Sequence, residues 1–118
     1  MRKTNTFNDL NFKDHSHVEG GIQAKMDLGD GFEISVVSMK ESERPFGGLY
    51  GNASAGTYEV AVFYKNDMTP LAKYDDVIGW QDEVAVTRLM KEVQQNGVAW
   101  LTLLKEIRND YTQTLLSD

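Results

Sequence analysis

The sequence predicts an α+β domain, an antiparallel β-meander of about four strands followed by two C-terminal helices packed on one face. Three observations predict it. Apolar residues alternate on both sides of a glycine-flanked Asp30, alternate again from Tyr58 to Tyr64, and change to a helical spacing after Asp82.

Residues 1–19 are polar, with isolated apolar anchors at Phe7, Leu10, Phe12 and Val18, and read as a loosely ordered arm that packs through Leu10 and Phe12. The domain proper is expected over 20–118, starting after Gly20-Gly21. Ile22, Ala24, Met26 and Leu28 fall on alternate positions with Gln23, Lys25 and Asp27 between them, the period of a strand with one wet face. Gly29-Asp30-Gly31 supplies the positive φ angles of a tight hairpin, and Phe32, Ile34 and Val36 resume the alternation.

Residues 40–56 form the longest irregular stretch and hold four of the ten glycines. The third strand carries Tyr58, Val60, Val62 and Tyr64 on one face; Ala61 and Phe63 on the other predict a central strand covered on both faces. Lys65-Asn66-Asp67 is a turn, and Pro70 to Tyr74 a short fourth strand. Val77, Ile78 and Trp80 read as a connector packed on the end of the core. Val86, Leu89, Met90 and Val93 share one helical face, with Gln81 or Asp82 as its start and Asn96-Gly97 as its stop. A second helix from about Val98 to Leu115 follows.

At 118 residues one core suffices. No apolar run approaches 18 residues, so no membrane span is expected. MRKTNTFNDLNF lacks the apolar stretch of a secretory signal. The absence of cysteine removes disulfides, thiolate catalysis and the usual structural zinc sites, and a cytoplasmic location is expected. The net charge is -6; residues 1–56 carry six basic and eight acidic side chains and residues 57–118 six and ten. Neither half offers a basic face for a phosphate backbone, so direct nucleic-acid binding is not expected.

Several clusters are candidate sites. His15 and His17 point the same way in an extended segment, beside Asp14 and Glu19, but lack rigid further ligands; exposed polar histidines are expected, with no metal or other cofactor. Gly47-Gly48-Leu49-Tyr50-Gly51 leads into a strand with no Gly-Lys-Ser/Thr, so it is not a P-loop. The same loop is a surface loop, a protein-contacting loop or a ligand pocket, in which Arg44 supplies a fork for an anion and Phe46 and Tyr50 faces for a base. Arg44, Phe46, Tyr50 and Asn52 are its candidate binding residues. Asp75, Asp76, Asp82 and Glu83 read as loop and helix-entry acids rather than catalytic carboxylates, and no enzyme is expected. In the last helix Trp100, Leu101, Leu103, Leu104 and Ile107 span more than one stripe. They either fill the core or form a homodimer interface.

Gly21-Ile22-Gln23-Ala24, Gly48-Leu49-Tyr50, Tyr58-Glu59-Val60-Ala61-Val62 and Asp75-Asp76-Val77-Ile78-Gly79-Trp80 together resemble a group of small accessory proteins encoded by tailed bacteriophages, over about residues 20–95. The chain departs from that pattern in the insert Gly51 to Thr57 and in the helix after Gly97. The resemblance implies a protein that works stoichiometrically in the host cytoplasm. Three functions follow from it: binding and inhibiting a host protein such as an antiviral defence component, sequestering a small nucleotide signal, or a structural role in the virion. The scarcity of basic residues around the loop favours the first.

Overall fold

Alternating apolar residues bury one face of a sheet, and a helix laid along that face removes it from water. The computed structural model describes residues 4–41, 49–72 and 75–116, of which 114–116 are described by their backbone alone. It is a mixed α+β structure, an antiparallel sheet with a long C-terminal helix. The principal extents are 45 × 42 × 23 Å, the short one being the depth of two layers.

The strands are β1 (Lys13–Asp14), β2 (Gly21–Gly29), β3 (Phe32–Met39), β4 (Thr57–Tyr64), β5 (Asp67–Met68) and β6 (Val77–Asp82), followed by the helix α1 (Glu83–Leu116). They pair in the order β1-β2-β3-β4, and β4 takes both β5 and β6 on its far side. The sheet thus has six strands among the described residues, not about four. Three differences account for this. The N-terminal arm contributes β1 by pairing Lys13 with Gln23 and Asp14 with Ile22. Lys65 and Asn66 both take positive φ (50 and 73), so the chain reverses in two residues and returns at once as Asp67–Met68. The expected strand from Pro70 is not formed at Pro70 to Ala72, and residues 73–74 lie outside the described residues. Finally, the expected connector is the strand β6, paired along β4 from Ala61↔Val77 to Thr57↔Asp82.

Register places Ala24, Val36 and Val60 in one row and Met26, Ile34 and Val62 in the next. On that face Ile34, Val36, Val60 and Val62 are wholly buried, and with Val86, Met90, Val93, Trp100 and Leu101 of α1 they form the core. The arm is fastened there too. Leu10 is buried, and Phe7 and Phe12 pack on Tyr58 with ring centroids 4.9 and 5.5 Å away. The Asn5 amide donates to Gln94 Oε1 (2.9 Å), and Gln94 Nε2 donates back to the Asn5 carbonyl (2.8 Å).

Asp82 caps α1, its Oδ1 accepting the Ala85 amide at 2.8 Å. The two predicted helices are arms of one element, with no loop between them. The backbone breaks only at Gly97, at φ 47 and ψ -118. A side chain is strained in that conformation whatever the space around it, so the glycine makes the bend. Beyond it, Arg108 ties the C-terminal arm to the segment before β6. Its Nη1 pairs with Asp76 Oδ1 at 2.6 Å, and its Nη2 donates to the carbonyls of Ala72 and of Asp75, the latter at 2.7 Å.

Candidate binding surface at the β6 bulge

The other face of the sheet carries Gln23, Val37 and Glu59 in one row and Lys25, Ser35 and Ala61 in the next. Across it runs Leu49–Tyr50, from the start of β2 to the middle of β6. Small residues at both ends make the crossing close. A Cβ on Gly21 would lie 3.1 Å from Leu49 Cδ1, and one on Gly79 only 2.5 Å from Tyr50 Cβ.

Where Tyr50 meets β6, the ladder is irregular. Tyr58 pairs with Gln81 and Val60 with Ile78, so Gly79 and Trp80 together oppose Glu59 alone, which is a β-bulge. Trp80 absorbs it with a φ of 57, an uncommon conformation for a bulky side chain. The bulge turns the indole outward, and Trp80 is 62% exposed. The expected packing of Trp80 on the core is therefore corrected. Backbone strain of this kind is held in place by its surroundings, and here the holder is Tyr50. The Trp80 amide donates to the Tyr50 carbonyl at 2.8 Å, while the Tyr50 amide donates to Glu59 Oε1 at 3.3 Å. Tyr50 is itself 56% exposed. Two large aromatic side chains thus stand in solvent beside a half-buried carboxylate, each fixed through its backbone.

Burial raises the Glu59 pKa above the ordinary carboxylate value; the Tyr50 amide and His15 oppose the shift, and Asp75 adds to it. The folded carboxyl therefore holds its proton more tightly than the unfolded one. Stability is fully present below the ordinary carboxylate range and declines as pH rises through the raised value. Glu59→Gln removes the charge and keeps an acceptor for Tyr50. We expect a higher melting temperature than wild type at pH 7, with the gap closing as the pH is lowered past the carboxylate range. A gap that does not change with pH would rule the charge out as its cause.

The other sequence candidates fall elsewhere. Arg44 and Phe46 lie outside the described residues. Asn52 is occupied locally: its Oδ1 accepts the Ser54 amide, its amide donates to Thr57 Oγ1, and its backbone bridges to Met39. It holds the chain beside the site rather than facing a ligand. Trp100 and Leu101 are core residues, 7% and 4% exposed, and Leu104 is half-buried against them; Leu103 and Ile107 remain exposed. The five therefore do not form one interface. His15 Nδ1 accepts the His17 amide at 3.0 Å. Among the described residues no three His, Asp or Glu gather as metal ligands would. No helix among them is long and apolar enough to cross a membrane.

Sequence reasoning missed Glu59, Gly79 and Trp80 as site residues. Gly21, Leu49–Tyr50, Glu59 and Gly79–Trp80, far apart in the chain, meet here, and no local pattern marks them as neighbours. Compared with protein-family models, curated proteins and solved structures, the chain matches none.

Proposed function

We propose that this protein is a non-catalytic phage accessory protein that acts in the host cytoplasm by binding and inhibiting a host protein, with an antiviral defence component as the first candidate. The observation that carries the reading is the exposed Tyr50–Trp80 pair on the β6 bulge. Tyrosine and tryptophan dominate the energetic centres of interfaces, and a backbone already held in place loses little entropy on binding. Glu59 beside Tyr50, Asp75 near Glu59, and the net charge of -6 select a partner with a basic surface and speed its encounter.

The test is affinity capture from host lysate with the wild-type chain and with Trp80→Ala and Tyr50→Ala, followed by titration of the captured protein. Each alanine is expected to weaken binding by about 2 kcal/mol, roughly thirtyfold in Kd. Added salt should slow association. A captured partner that binds both variants as tightly as wild type would remove the bulge from the interaction.

A further inference from the structure

A concave surface lies between the C-terminal arm of α1 and the segment that links β5 to β6, and Tyr50, Glu59 and Trp80 do not line it. It is a cleft of about 390 Å³, walled on one side by Met68 and Pro70. The other side is α1. Lys105, Arg108, Asn109 and Thr112 line it, and their spacing of three, one and three places them on one helical face.

The donor and acceptor inventory of this lining is one-sided. Lysine and arginine only donate, and the asparagine amide and threonine hydroxyl can each donate as well. Among the described residues Asp76 is the one carboxylate lining the cleft, and its charge is taken up by Arg108 at 2.6 Å. That leaves Lys105 as the uncompensated charge, in a chain whose net charge is -6. The clamp on Asp76, Ala72 and Asp75 also fixes the guanidinium before any ligand arrives. Two of its five hydrogens take no part in these bonds, the second on Nη1 and the one on Nε, and Nε is buried with no hydrogen-bond partner among the described residues. The Arg108 side chain is 31% exposed, and an oxyanion seated against that part would offer an acceptor to the second Nη1 hydrogen, whereas Nε, closed to water, is closed to the ligand too. The Met68 and Pro70 wall offers nothing to a free inorganic ion, but it suits an apolar body attached to one.

From this we infer that the Lys105–Arg108 cleft binds a small organic oxyanion, its phosphate or carboxylate head between Lys105 and Arg108 and its apolar body against Met68 and Pro70.

Arg108 is too deeply tied into the fold to be a clean test, so the variants are Lys105→Glu and Thr112→Val, at exposed positions. Amide chemical shifts of the full chain are followed during titration with adenosine monophosphate, octanoate and inorganic phosphate. Shifts centred on Met68, Lys105 and Asn109, with at least tenfold weaker binding in Lys105→Glu and an unchanged response in Trp80→Ala, are the expected result. Response to the nucleotide alone identifies a phosphate head, and response to octanoate alone a carboxylate; response to both supports the shared chemistry. The inference is overturned if none of the three binds at millimolar concentration, or if Lys105→Glu binds as wild type does. It is also overturned if inorganic phosphate binds as tightly as the organic ligands, since the apolar wall would then contribute nothing. Thr112→Val separates the charge from the hydroxyl: a loss smaller than that of Lys105→Glu is expected, and a larger one would contradict the assigned head position.

Discussion

Phe32→Ala is expected to remove about 3–5 kcal/mol of stability, the usual cost of deleting a buried phenyl ring. Phe32 is 2% exposed at the start of β3, where the hairpin meets the bend in α1. Its ring lies 4.6 Å from that of Tyr64 and 6.1 Å from that of Trp100, the latter edge-on. It therefore joins the sheet to the C-terminal arm of the helix just past Gly97. Truncation leaves a cavity beside Tyr64, Trp100 and Gly97. A domain of this size commonly has about 5–15 kcal/mol in total, so the variant should melt far lower and lose most of its urea midpoint. The arm carrying Arg108 should loosen first, visible as faster amide exchange beyond Gly97 than before it. A loss of unfolding free energy below about 1 kcal/mol would mean that the ring is not the joint described here.

Gly51→Ala is expected to cost about 3 kcal/mol, near the top of the range for overpacking. A Cβ at this position would sit 2.8 Å from the Thr57 carbonyl oxygen, 2.8 Å from Tyr58 Cα and 2.9 Å from Ser38 Oγ. Two of those three atoms are backbone and cannot rotate away. Ser38 is fully buried and donates to the Thr57 carbonyl at 2.7 Å, so it has no free space either. The substitution must push residues 49–52 off the sheet, breaking the bond from the Met39 amide to the Gly51 carbonyl. Tyr50 moves with them, and the Trp80 amide loses its acceptor. The melting temperature and the binding proposed for the Tyr50–Trp80 surface should therefore fall together. Alanine tolerated with an unchanged melting temperature and an intact Trp80 environment, read by indole fluorescence, would show that the strap is not held here.

The strands from Gly21 to Met39 and from Thr57 to Tyr64 were legible because their periodicity is local. Each alternating residue reports its own face, and register then follows from burying that face. The first arm of α1 was legible for the same reason, since Val86, Met90 and Val93 repeat at helical spacing and Asp82 and Gly97 mark its ends. Short strands were not legible. Lys13–Asp14 and Asp67–Met68 are too brief to show any period, and they exist because an edge was available to pair with. Val77–Asp82 was missed because its bulge breaks the alternation that would have revealed it.

The site divides along the same line. Tyr50 drew notice by its place in a glycine-rich loop, whereas Trp80 read as a core residue because tryptophan beside valine and isoleucine usually is one. Only the pairing of β6 with β4 reverses that, by placing two residues opposite Glu59 and turning the indole out. Likewise the five apolar residues of the last helix gave a broad stripe, and the sheet decided which of them it covers. By itself, then, the sequence determined a mixed α+β chain with an antiparallel sheet before a C-terminal helix, because alternation and helical spacing are properties of neighbouring residues. The edge strands, the bulge, the strap of Leu49–Tyr50 across the sheet and the Arg108 cleft were decided by tertiary structure alone. Each depends on contacts between residues far apart in the chain, which no local pattern records.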